Sequence, residues 1–258
     1  MKELINYTLH LADNALVLAH RNSEWTGHGP ILEQDIAISN IALDLIGQAR
    51  NFYQYAAKLI NQSTIQQFNL ATEDSLAYLR DANEFKNCLL VEQTNGDWAK
   101  TILRQFFFSA YQFYLYQELQ KSNDETIAAI AEKSLKEVSY HLRWSSEWVI
   151  RLGDGTEESH QRMINAINDL QIYTEEFFFA ASYELSALNE GYGIDVRSLK
   201  NDWIEKVKTI FAEATLPFLF EEEKKIQWFG KEGKHSEHLG YILAEMQFLQ
   251  RAYPNSTW

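Results

Sequence analysis

The chain has 258 residues, 46% hydrophobic and 14% aromatic, enough to bury a large core and too apolar for a disordered segment. Its 36 acidic and 23 basic side chains leave a net charge of −13, which repels phosphate backbones and argues against a nucleic-acid partner. A single cysteine, no basic-then-apolar leader and no apolar run of spanning length point to a reducing cytoplasm and away from a membrane.

Eleven glycines and three prolines cluster in short breaks, and the long stretches between them favour helices. The first helix is expected over residues 4–21. A second covers 31–60, with apolar residues at Ile38, Ile41, Ala42, Leu45 and Ile46. A shorter one is expected over 73–91, where Cys88 in an apolar run reads as a buried, inert thiol. The next, over 97–119, is so rich in Phe and Tyr that it should be buried nearly all round. Ser122 starts what resembles a capping box, opening a helix that ends near Leu152 with Gly153 in the left-handed conformation. Thr156 caps a helix expected to reach residue 188. Helices over 198–214 and from Ser236 to just before Pro254 complete the chain. No strand-like alternation is visible. The reading is all-α: a single domain over 1–258, an up-and-down bundle with additional helices. The irregular stretch 215–235 carries Glu221 to Lys225 and Trp228-Phe229, suited to a partner contact or to a loop folded back on the bundle.

Diiron bundles place a Glu-x-x-His pair on each of two helices, with a further carboxylate on each of the other two. Residues three apart share a helix face, so Glu and His reach one ion. Asp44 and Glu137 stand where the Glu of such pairs would stand, but three residues on come Gly47 and Tyr140. Asp44, flanked by apolar residues, is expected to point inward. Gly47, at a cost of roughly 1 kcal/mol relative to Ala, suggests close packing against a neighbouring helix. His141 is four residues past Glu137 and faces the same side. Asp13 is a plausible hairpin partner for Asp44, and the aromatic helix offers only Ser109. A buried polar network of Asp13, Asp44, Glu137 and His141 is therefore expected, closed by nearby Gln48, Arg50, Tyr140 or Arg143. On this reading the site is vestigial, and the chain carries no catalytic residue, no cofactor and no metal.

Several longer segments carry a resemblance. Ala12 to Leu18, Glu24 to Pro30, Leu43 to Phe52, Leu89 to Gly96, Lys136 to Arg143, and His235 to Gly240 with Leu243 to Gln247 resemble the PaaC family. Its members are structural subunits of bacterial phenylacetyl-CoA epoxidases. The resemblance implies a ferritin-like fold and stable pairing with PaaA, the homologous subunit that carries the diiron centre and the CoA thioester. It further implies a reductase drawing on NADPH and a smaller bridging subunit of the PaaB type. The family's metal ligands belong to PaaA, so none transfers to this chain.

His235 and His238 form an H-x-x-H at a helix start. With no nearby cysteine and scattered acids, capping and surface contacts explain it better than zinc. Lys224, Lys225, Lys231 and Lys234 read as solvated loop lysines rather than CoA-phosphate ligands. Three readings stand: a non-catalytic structural subunit; a metal-binding oxidase with an atypical site at Asp13, Asp44, Glu137 and His141; and a helical module holding a small ligand.

Overall fold

The computed structural model describes residues 1–63, 70–218, 229–254 and 256. Among them there is no strand, and the all-α class holds. The α-helices are α1 Lys2–Ser23, α2 Leu32–Ser63, α3 Glu73–Tyr78, α4 Leu89–Glu92, α5 Trp98–Leu119 and α6 Glu125–Gly153. Then come α7 Glu157–Leu170, α8 Ser182–Glu190, α9 Lys200–Glu213, α10 Glu237–Met246 and α11 Phe248–Ala252. The stretch from Glu221 to Lys225, with Trp228, lies outside the described residues. The chain divides into two compact units, Met1–Thr94 with Trp228–Trp258, and Asn95–Gln227.

In the first unit α1 packs along α2, and α4 and α10 lie against α1. Helix α1 is buried from Tyr7 to Ala19 on all sides, including the polar Thr8, His10, Asp13 and Asn14. Such a helix needs a partner for every polar group it buries. Helix α2 is amphipathic, with Ile38, Ile41, Ala42, Leu45, Gln48, Ala49 and Phe52 turned inward at helical spacing.

The helix expected over 73–91 is not continuous. It splits into α3, a 3-10 turn at Ala82–Glu84, and α4. The N–H groups of Lys86 and Cys88 donate to the side chains of Asp13 and Asn14, both at 2.8 Å. Donors spent on α1 cannot close turns of their own helix. Cys88 is buried, as expected.

The second unit is built on α5, buried nearly all round as its composition suggests, with α6, α7 and α9 against it. Trp203 of α9 sits among Phe107, Phe177 and Phe178, with ring centroids 5.6–6.2 Å away, and donates its indole N–H to the Phe107 carbonyl at 3.0 Å. The cap of α6 is Asp124, not Ser122: its carboxylate accepts from the N–H groups of Thr126 and Ile127, both at 3.0 Å. Gly153 does not adopt the left-handed conformation. It is the last helical residue, and a Cβ there would lie 2.5 Å from the Ala214 carbonyl. The left-handed cap is Gly191, at φ +82°, after α8. The helix expected over 156–188 also breaks. Residues Gln171–Phe178 wind as 3-10 turns that bring Phe177 and Phe178 to Trp203. Helix α8 then restarts with the buried Glu184 carboxylate on the Ala181 N–H at 2.9 Å.

Candidate functional site

Asp13 is fully buried at the middle of α1. Its Oδ1 accepts from the Tyr53 hydroxyl at 2.5 Å and from the Arg80 guanidinium. Its Oδ2 accepts from the other Arg80 nitrogen at 3.2 Å and from the Lys86 backbone N–H at 2.8 Å. Four donors onto two oxygens fill the acceptor sites of a carboxylate. Arg80 is itself used fully. It donates to the carbonyls of Leu76 and Glu84 at 2.5 and 3.0 Å and lies 4.1 Å over the Phe85 ring.

The electrostatics follow from this closure. Burial, reinforced by the Asp13 charge, lifts the Tyr53 phenol well above its ordinary value, so it stays a donor. Burial works against the Arg80 charge, but Asp13 and Tyr53 outweigh it and hold the guanidinium proton more tightly than usual. Desolvation lowers the Lys86 ammonium, partly countered by Asp13.

A second buried carboxylate, Glu92, ends α4. Oε1 accepts from the Ser236 N–H at 2.6 Å; Oε2 accepts from the Asn87 amide at 2.9 Å and meets His235 Nδ1 at 2.9 Å. The other ring nitrogen of His235 lies 3.0 Å from the Phe85 carbonyl. The two ring nitrogens of His235 bridge the Glu92 carboxylate and the Phe85 carbonyl. His235 is thus not the surface or capping residue expected; Ser236 caps α10, accepting from the His238 N–H at 3.3 Å.

The other expected site residues fall elsewhere. Asp44 is half-buried on α2 and Gly47 is exposed, because the inward arc of that helix runs through 41, 45 and 48. Among the described residues, a Cβ at Gly47 would meet no atom of another element within 4 Å, so none of them provides the close packing expected there. Glu137 is half-buried and His141 fully buried on α6 of the second unit, while Asp13 and Asp44 belong to the first. Of the suggested closers, Gln48 is buried on the inner face of α2, while Arg50, Tyr140 and Arg143 turn outward. Arg50 lies 3.6 Å from Glu73 near the surface, and Arg143 lies 5.7 Å over the ring of exposed Tyr140. Sequence reasoning missed Arg80, Tyr53 and Glu92. The one local signal was Glu92, a charge directly after Leu89-Leu90-Val91.

A diiron centre needs carboxylate lone pairs free for the metal. Asp13 offers none, since its two oxygens accept from Tyr53, Arg80 and Lys86. Among the described residues no three His, Cys, Asp or Glu side chains come together as a metal-ion donor set. The residues therefore do not fit the centre. Nor does any helix among the described residues have the length and apolar character to cross a membrane.

Over its full length of 258 residues the chain is 46% identical to one of the subunits of 1,2-phenylacetyl-CoA epoxidase of Escherichia coli (strain K12), the one designated C, and the match covers all of both chains. It also matches the PaaA_PaaC family, described as phenylacetic acid catabolic protein, over residues 1–258. The ferritin-like helical fold that the sequence resemblance implied is the fold of that family. By both likenesses the chain belongs to the PaaA_PaaC family of phenylacetic acid catabolic proteins.

Proposed function

We propose that this chain is the non-catalytic, structural subunit of a multicomponent phenylacetyl-CoA epoxidase in the cytoplasm. It pairs with and stabilises the catalytic diiron subunit PaaA. A reductase and a small bridging subunit of the PaaB type complete the assembly. The observation that carries this reading is the closure of Asp13: a carboxylate that accepts from Arg80, Tyr53 and Lys86 stabilises its own fold and has no vacancy for iron. The full-length likeness to an epoxidase subunit supports the rest. In such an enzyme the oxygen chemistry belongs to the partner, and this chain contributes buried surface that keeps the partner's fold open to substrate.

The test is to mix the purified chain with its PaaA counterpart and weigh the product by light scattering. A defined heteromeric species is expected, active on phenylacetyl-CoA when the reductase is added, while this chain alone turns over nothing. A monomer indifferent to PaaA at micromolar concentration contradicts the proposal.

A further inference from the structure

Helices α2 and α6 are the longest in the chain, and their outward faces differ. On α6 that face is charged, with Glu132, Lys133, Lys136, Arg143, Glu147 and Arg151 exposed, an ordinary solvated surface. On α2 it is apolar. Leu32 is 72% exposed, Ile36 52%, Leu43 65% and Ile46 39%. Scattered single exposures of this kind need no explanation, but four in line on one helix do. Beside them lies Gly47, an exposed mid-helix glycine with open space where a Cβ would be. Among the described residues no group outside its own helix approaches it closely, so none of them offsets its helix-weakening effect. A notch beside a row of apolar knobs is the shape that receives another helix at short distance.

The surrounding charge bears on the occupant. Glu33 is exposed and Asp44 half-buried beside the row. The cation that follows, Arg50, already lies 3.6 Å from Glu73 of the same chain. A second copy would bring the same acids and the same net charge of −13 to the contact. We infer that the outer face of α2, from Leu32 to Gly47, is where the epoxidase's catalytic subunit docks, through a helix apolar along its centre and carrying Lys or Arg at its edges. This rests on the pairing proposed above and adds its location.

The experiment measures the affinity of the full chain for the catalytic subunit, and the melting temperature of the chain alone, for Leu43→Glu, Gly47→Leu and a control on α6, Arg143→Glu. Binding by both α2 variants should weaken about tenfold or more, as for residues at the centre of an interface. The control should bind normally. The isolated Gly47→Leu chain should melt at or above the native temperature, since the added side chain has room and favours the helix. Native affinity in both α2 variants overturns the location while leaving the pairing intact. Failure of the native chain to bind the catalytic subunit at all overturns the pairing, and this inference with it. A native chain that self-associates, and becomes monomeric on Leu43→Glu, assigns the face to a second copy and overturns the occupant.

Discussion

At the centre of the first unit lie two fully buried carboxylates, Asp13 closed by the Arg80 guanidinium and Glu92 by the His235 ring, each with further N–H or O–H donors from that unit. The second unit instead centres on Trp203, ringed by Phe107, Phe177 and Phe178, with Tyr111 stacked on Phe177 at 4.6 Å. The first arrangement is directional and depends on charge. The second depends on volume and shape. A buried ion pair is weak evidence for stability, because desolvation opposes the attraction, but breaking one is costly. The two units should therefore fail in different ways.

The largest effect is expected from Asp13→Ala, which leaves the Arg80 guanidinium buried without its carboxylate. It should cost about 3–5 kcal/mol in urea unfolding. The double variant Asp13→Ala with Arg80→Met should recover part of that loss, because no charge is then stranded. A double variant no better than the single would mean that volume, not charge, governs the first unit. Trp203→Ala should cost roughly 3–5 kcal/mol through the cavity it leaves. No companion change of charge should rescue it, and near-ultraviolet circular dichroism should report the loss of ring packing. A smaller loss, about 1–3 kcal/mol, is expected for His235→Gln, which keeps a donor but removes the ring that bridges Glu92 and the Phe85 carbonyl. Equal stability of the native and variant chains in urea would show that the His235 bridge does not stabilise the first unit.

The smallest effect concerns pH. Burial lowers the pKa of His20 in α1 below its ordinary 6.5, so the folded chain resists a proton that the unfolded chain accepts. Stability from this group is then complete above about 6.5 and falls as pH drops from there toward the lowered folded value. The His20→Gln chain should lose this part of the acid slope and keep native stability at pH 8. An unchanged slope would remove His20 from the account.

Much of the architecture was legible in the sequence, because glycine-bounded stretches with period 3.6 leave few alternatives to helices. The breaks at 79–88 and after Leu170 were not legible. In the first, side chains of α1 capture backbone donors of Lys86 and Cys88; in the second, Phe177 and Phe178 turn toward Trp203, some 25 residues on. Long-range competition of this kind leaves no local pattern. The interior of the candidate site was hidden for the same reason. Asp13 was picked out, but its partners Tyr53, Arg80 and Lys86 come from 40 to 73 residues away. Gly47 shows a different gap. A mid-helix glycine signals close approach, yet sequence alone does not say whether the approaching group belongs to the same chain.

The most direct test is iron content: load the isolated chain anaerobically with Fe(II), remove loosely held metal, and count the iron that remains per chain. With the Asp13 carboxylate filled by Arg80, Tyr53 and Lys86, far less than stoichiometric iron should be retained. Stoichiometric iron, lost on Glu137→Ala, would contradict the account and give this chain an oxidase site of its own.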